Sequence, residues 1–171
     1  MERQIAALLC RTSERGADAA AGTRELAELL GARIIGSPGE PRAGDHRDDL
    51  RDGRGCLLEA GGQIDDALEA GRAPILLAPE CSVSVSTLPV VVARRPAVRV
   101  LWLDAHPDFN TPETSTSGYL AGMCLAGACG WRRMSTGSVE IAIEHSAASR
   151  IGTRSASKAS SSCPPASSRH P

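Results

Sequence analysis

An α/β fold, with a mainly parallel sheet and helices on both of its faces, is the prediction for residues 1–133. Three observations carry it. Short apolar runs alternate with helical stretches of about 10–15 residues, the rhythm of βαβ units. The chain holds only two Trp, one Tyr and one Phe, so its core is built from Leu, Ile, Val and Ala, as is usual for helices packed on a parallel sheet. A dense group of polar residues lies just past the end of one apolar run, where such sheets bind their ligands.

Taken in order, Ile5–Leu9 is a short apolar run suited to a first strand. Residues 17–30, "ADAAAGTRELAELL", are rich in helix formers, with Leu26, Leu29 and Leu30 at helical spacing and Gly31 as a natural stop. "ARIIGSP" follows as a strand ending in a turn. Residues 37–55 are polar and rich in Gly and Pro, which predicts a surface loop. Leu57–Ala70 has a helical pattern through Leu58, Ile64 and Leu68. "PILLA" is a buried strand, and residues 82–95 are a helix disturbed by Pro89. "VRVLWL", Val98–Leu103, is a further strand, with "DAHPD" beyond its end. Residues 134–171 are Ser/Arg/Pro-rich with almost no large apolar residue, and are expected to be a disordered tail because they bury too little to offset their ordering entropy.

Composition excludes some functions. With 19 basic and 20 acidic residues the net charge is −1, so neither nucleic acid nor an anionic membrane is expected as a partner. No stretch approaches the ~20 apolar residues of a membrane span, and no signal peptide is evident. The six cysteines (10, 56, 81, 124, 129 and 163) contain no CxxC pair and suggest no disulfide framework. A reduced, cytoplasmic protein is the default expectation.

The chemistry concentrates in "LWLDAHPDFNTPETSTSG", Leu101–Gly118. Asp104, His106 and Asp108 alternate at the end of the predicted strand, where a bend lets their side chains converge. Carboxylates with one imidazole suit a borderline-hard divalent ion such as Mn²⁺, and a bridging carboxylate can hold two ions ~3.5–4 Å apart. The alternative is that these residues cap the following turn. The hydroxyl and amide groups of "NTPETSTSG" add a set of contacts for a polar substrate. Other chemistries find no anchor: there is no GxSxG elbow and no Gly-rich phosphate loop. A cluster of Cys124, Cys129 and Cys163 is weighed and set aside, "MCLAGACGW" reading better as a small-residue helix or turn.

The stretch "WLDAHPDFNTPETSTSGYLAGM", Trp102–Met123, resembles the signature of the arginase/agmatinase (ureohydrolase) family, and "PILLAPECSVSVSTLP" resembles that family's earlier metal-ligand segment. The resemblance covers residues 70–125 well. It implies a three-layer α/β/α sandwich with two Mn²⁺ ions at the carboxyl edge of the sheet. It further implies hydrolysis of a linear guanidino or amidine C–N bond by a metal-bridging hydroxide. By position, Asp104 would bridge both ions, His106 would bind one, and Asp108 would bind the other and orient the hydroxide. Asn110 and Ser117 match positions that contact the amino-acid end of the substrate. The resemblance also implies a trimeric or hexameric homo-oligomer.

The sequence departs from the family pattern in three places. Cys81 stands where the family has its upstream histidine ligand; a thiolate is a softer donor that favours zinc or iron. Glu80 is an alternative oxygen donor, and a small buried residue at a strand end is the other reading of Cys81. Ala121 stands where the family has the histidine of its Ser-Gly-Asn-Leu-His-Gly motif, which predicts slower product release or a substrate that needs no proton shuttle. The family's Ser-x-Asp-x-Asp segment is missing, since no Asp follows Asp108 and only Glu113, Glu140 and Glu144 remain. The sequence is about half the family's length, so a truncated or frame-shifted product is expected. Two functions stay open: a manganese-dependent hydrolase holding one or two ions, or a non-catalytic metal-binding remnant.

Overall fold

The computed structural model describes residues 1–129. Among these residues the sheet has three parallel strands, β1 (Arg3–Leu8), β2 (Arg33–Ile35) and β3 (Ala73–Leu77), in the order β2-β1-β3. Ala7 lies opposite Ile34 on one side and Leu77 on the other. β1 is therefore central, and its Ala6, Ala7 and Leu8 are buried.

From β1 the chain crosses to β2 through α1 (Asp18–Leu30). It returns past β1 to β3 through α2 (His46–Asp52) and α3 (Arg54–Glu69). Two crossovers of the same hand running in opposite directions place their helices on opposite faces of the sheet. They also put the topological switch point between the carboxyl ends of β1 and β3, the place at which such sheets hold ligands. α4 (Ser84–Arg94) follows β3 and packs on α3. The last element is α5 (Cys124–Ala128), and the core cluster joins Leu50, Leu57, Val85, Leu120, Met123 and Cys124.

Several expectations are corrected. The predicted loop at 37–55 contains α2. Asp45 caps it, its carboxylate accepting from the Arg47 and Asp48 N–H groups at 2.9 and 3.1 Å. Only Leu50 of α2 is a large apolar core residue, so no periodicity announces the helix. α3 starts at Arg54, earlier than predicted, and buries Leu57, Ala60, Ile64 and Ala67, leaving Leu58 exposed. On α1 the buried residues are Thr23 and Ala27, while Leu26, Leu29 and Leu30 face outward, because small residues bring the helix close to the strands. Gly31 ends α1 as expected, in the left-handed region at φ 61°. α4 runs through Pro89 without a break. β3 is half-buried, not buried, having a strand on one side only among the described residues.

Val98–Leu103 does not form a strand. Leu101 and Leu103 are 80% and 84% exposed, and only Trp102 turns in to pack on the core cluster. A β-prone run becomes a strand only with a neighbour to complete its ladder, and among the described residues none pairs with it. The cysteine expectation also changes, for Cys10, just after β1, is disulfide-bonded to Cys56 in the first turn of α3. The predicted boundary at 133 and the tail at 134–171 lie outside the described residues. Among the described residues, no helix is long and apolar enough to cross a membrane.

Candidate metal centre and substrate edge

Two groups of polar side chains, adjacent in the chain at Glu80 and Cys81, lie beyond the carboxyl ends of β1 and β3. The first lies where the chain leaves β1. The Glu14 carboxylate accepts from the N–H groups of Thr12 and Ser13 at 2.6 and 3.0 Å, and burial pushes it above the usual carboxylate range. Opposite it, Glu80 accepts from the hydroxyls of Ser13, Ser82 at 3.2 Å, and Tyr119. Burial and the Glu80 carboxylate raise the Tyr119 phenol, and the Arg15 guanidinium stacks 4.7 Å over its ring. Behind this group, Asp49 is clamped by Arg11 at 2.8 Å and Arg15 at 3.0 Å. Glu80 is thus already engaged by hydroxyl donors, which weakens its standing as an alternative metal donor.

The second group lies one residue further on. Cys81 opens a single 3-10 turn after β3, and Cys124 is the first residue of α5. Asp108 sits between them on the loop from Asp104 to Ser117. One donor atom from each of Cys81, Asp108 and Cys124 lies within 4.8 Å of the other two. Asp108 is 6% exposed and the one non-glycine residue with a positive φ, 48°, among those described. This conformation is disfavoured for residues other than Gly, Asn and Asp. It is held by the Asp108 carbonyl, which accepts from the N–H groups of Leu125 at 3.0 Å and Ala126 at 3.3 Å.

The Cys124 thiol donates to Asp108 Oδ2 at 3.8 Å, and the Cys81 thiol to the Ala121 carbonyl at 3.8 Å. Burial raises the Asp108 carboxyl. The Cys124 thiol beside it, burial and the Asp108 charge push the Cys81 thiol up. Among the described residues no guanidinium pairs with Asp108. A buried carboxylate without a cation is costly to ionise, so the donor chemistry fits a divalent ion at this point.

The other residues picked out by the sequence lie nearby but are not gathered around that point. Asp104 Oδ1 accepts from the His106 N–H at 2.9 Å and stands 3.6 Å from His106 Nδ1, and the imidazole is exposed. This is the turn-capping arrangement that the sequence left open. Asn110 is exposed, its side chain accepting from Thr114 Oγ1 at 3.3 Å while its N–H donates to the Gly122 carbonyl at 3.0 Å. Ser117 is exposed and accepts from the Tyr119 N–H at 3.3 Å. Cys124 is the residue the sequence reading missed as a neighbour of Asp108. Its approach accompanies the hydrogen bonds from the Leu125 and Ala126 N–H groups to the Asp108 carbonyl, which no spacing rule encodes. The other members of the cysteine cluster set aside earlier do not join it: Cys129 is outside the group, and Cys163 lies outside the described residues.

Comparison with known proteins identifies the family. The sequence profile of the Arginase family matches residues 42–164. The N(omega)-hydroxy-L-arginine amidinohydrolase of Streptomyces lavendulae is 39% identical over 114 residues, covering 66% of this chain and 42% of that enzyme. An arginase from Bacillus caldovelox is 40% identical over 68 residues, 40% of this chain and 23% of its own. Its solved structure superposes with a TM-score of 0.56 at 30% identity, over 76% of this chain and 49% of that one. The arginase from Bacillus cereus gives 0.60 at 26% identity, over 88% and 53%. The chain therefore spans about half the length of the solved arginases that it matches. With a family match over most of its length and a shared parallel sheet carrying a buried Asp108 beyond its edge, the chain belongs to the arginase family.

Proposed function

We propose that this chain is an arginase-family hydrolase that cleaves a linear guanidino or amidine C–N bond, using Mn²⁺ held around Asp108. The observation that carries the reading is Asp108 itself, a buried acidic side chain with two thiols beside it and, among the described residues, no guanidinium against it, close to Asp104 and His106. Asp104, His106, Asp108 and Cys81 are the proposed ligands of one or two ions. A bound divalent ion supplies a water acidic enough to act as a nucleophile near neutral pH. With the ion bound, Asp108 would orient that water toward the guanidino carbon through a carboxylate oxygen. Asn110 and Ser117 hydrogen-bond the amino-acid end of the substrate. A C–O bond to the guanidino carbon would form as the C–N bond breaks, both water protons would leave on the departing amine as an ammonium, and the water oxygen would stay on the carbon, as urea from a guanidino substrate or an amide from an amidine. The Streptomyces relative's name adds an N-hydroxylated guanidino group to the candidate substrates. The acting form is proposed to be a homo-oligomer, trimeric or hexameric as the family resemblance implies.

A second reading has its own support. Asp104 bonds back to its own turn instead of joining the Asp108 group, and no aspartate follows Asp108 in the sequence. On that reading the chain binds metal without turnover, as a remnant or inactive fragment. Elemental analysis combined with urea release from arginine, agmatine, guanidinobutyrate and N-hydroxyarginine separates the two. Two Mn²⁺ per chain with turnover sinks the remnant reading. At most one loosely held ion and no release from any of the four sinks the enzyme reading.

A further inference from the structure

We infer that Cys124 is a metal ligand, so that Cys81, Asp108 and Cys124 together form a thiolate-rich pole that takes a zinc-class ion in preference to Mn²⁺. The inference rests on the reading of this edge as a metal centre. It adds a donor from α5 and changes the kind of ion held at one position.

Three observations support it. First, the separations are near those of a loaded site. With metal–sulfur and metal–oxygen bonds of about 2.3 and 2.1 Å at tetrahedral angles, sulfurs stand roughly 3.8 Å apart and sulfur and oxygen roughly 3.6 Å apart. Cys124 Sγ and Asp108 Oδ2 are 3.8 Å apart, and all three donors fall within 4.8 Å of one another. Closing on an ion requires movements of about 1 Å at most.

Second, the donors come from three separate elements whose register is fixed without an ion. The Asp108 carbonyl ties the loop to α5 through the Leu125 and Ala126 N–H groups, and the Cys81 thiol is tied to the Ala121 carbonyl. Third, the donor set is two sulfurs and one carboxylate. Thiolates select zinc, iron and copper, while Mn²⁺ stands lowest in the divalent affinity order. Three protein donors leave a fourth tetrahedral position open, the pattern of catalytic and not of structural zinc sites. The oxygen- and nitrogen-bearing pair Asp104 and His106 lies outside this pole, so the two poles of the centre differ in hardness.

The test uses the full chain with Cys129 and Cys163 replaced by serine, so that those thiols contribute no signal. Equilibrium dialysis against equal Zn²⁺ and Mn²⁺ should leave zinc in excess by about tenfold or more. Zinc-edge X-ray absorption should then count two sulfur neighbours at about 2.3 Å. Titration with Co²⁺ should give a near-ultraviolet thiolate-to-cobalt band whose intensity falls by about half in Cys124→Ser, since one of two thiolates is lost. One sulfur neighbour, or a cobalt band of full intensity in Cys124→Ser, overturns the inference while leaving the metal centre standing. Failure of the background chain to retain zinc, cobalt or manganese overturns the inference and the metal centre together. The absorption measurement needs no change at Cys124, so poor folding of that variant does not shield the inference.

Discussion

Asp49 offers the sharpest stability test, because its side chain is 1% exposed and bound by two arginines. Its Oδ1 accepts from Arg11 at 2.8 Å and its Oδ2 from Arg15 at 3.0 Å. The same guanidiniums reach the Arg42 and Gly44 carbonyls, tying the segment after β1 to the loop before α2. Burial raises the Asp49 carboxyl, while the two cations pull it back toward ionisation. Asp49→Asn removes the charge and keeps the volume. The Arg11 side chain is 9% exposed and its Nε has no partner among the described residues, so little water replaces the lost carboxylate. Breaking a buried pair by removing one partner costs ~3–5 kcal/mol. Arg15 is 28% exposed and recovers part of its hydration, which puts the expectation near the lower end, about 3 kcal/mol. With a urea slope of about 1.5 kcal/mol per molar, the midpoint falls by about 2 M. That is a large share of a total stability of ~5–15 kcal/mol. Far-ultraviolet circular dichroism in urea measures it. Asp65→Asn, which breaks the exposed contact with Arg94, is the control and should leave the midpoint unchanged. A loss in Asp49→Asn no larger than in Asp65→Asn would refute the reasoning.

Three further outcomes follow from named features. Reducing the Cys10–Cys56 bond, or replacing Cys56 with Ser, should lower stability by up to ~4 kcal/mol, the chain-entropy value for its separation of 46 residues; urea midpoints with and without dithiothreitol measure it, and equal midpoints contradict it. His46 is buried with its Nδ1 unpartnered, and desolvation lowers its pKa. The unfolded chain therefore binds the extra proton first, so stability is full above about pH 6.5 and falls below it, by at most ~1.4 kcal/mol per unit. His46→Gln should flatten that fall, as thermal unfolding between pH 5 and 7.5 records. Finally, a Cβ at Gly53 would lie 2.8 Å from the Asp49 carbonyl and 2.9 Å from that of Thr12, so Gly53→Ala should cost ~1–3 kcal/mol and show it as a lowered melting temperature.

The parts of the fold that the sequence made legible are those with local signals. Ile5–Leu9 carried β1 in its apolar run, and Gly31 marked the end of α1. Motif and family resemblance located Asp108 and Cys81 at the sheet edge. What stayed hidden depends on contacts between distant residues. Cys10 and Cys56 are separated by a whole βα unit, and spacing says nothing about their meeting. α2 has one buried leucine and is specified by the Asp45 cap and the Asp49 ion pairs. Val98–Leu103 has the composition of a strand, but composition does not supply a pairing neighbour. Cys124 stands beside Asp108 where the α5 amides bond the Asp108 carbonyl, a contact between residues 16 and more apart.

The most direct measurement is the metal content of purified wild type and Asp108→Ala after dialysis against Mn²⁺ and Zn²⁺, with circular dichroism to confirm that both are folded. Asp108 is the donor shared by the oxygen-bearing loop and the two thiols. Its removal should cut retained metal by about tenfold or more, while the folded spectrum persists. A folded Asp108→Ala chain that retains as much metal as wild type would contradict the placement of the centre at this edge.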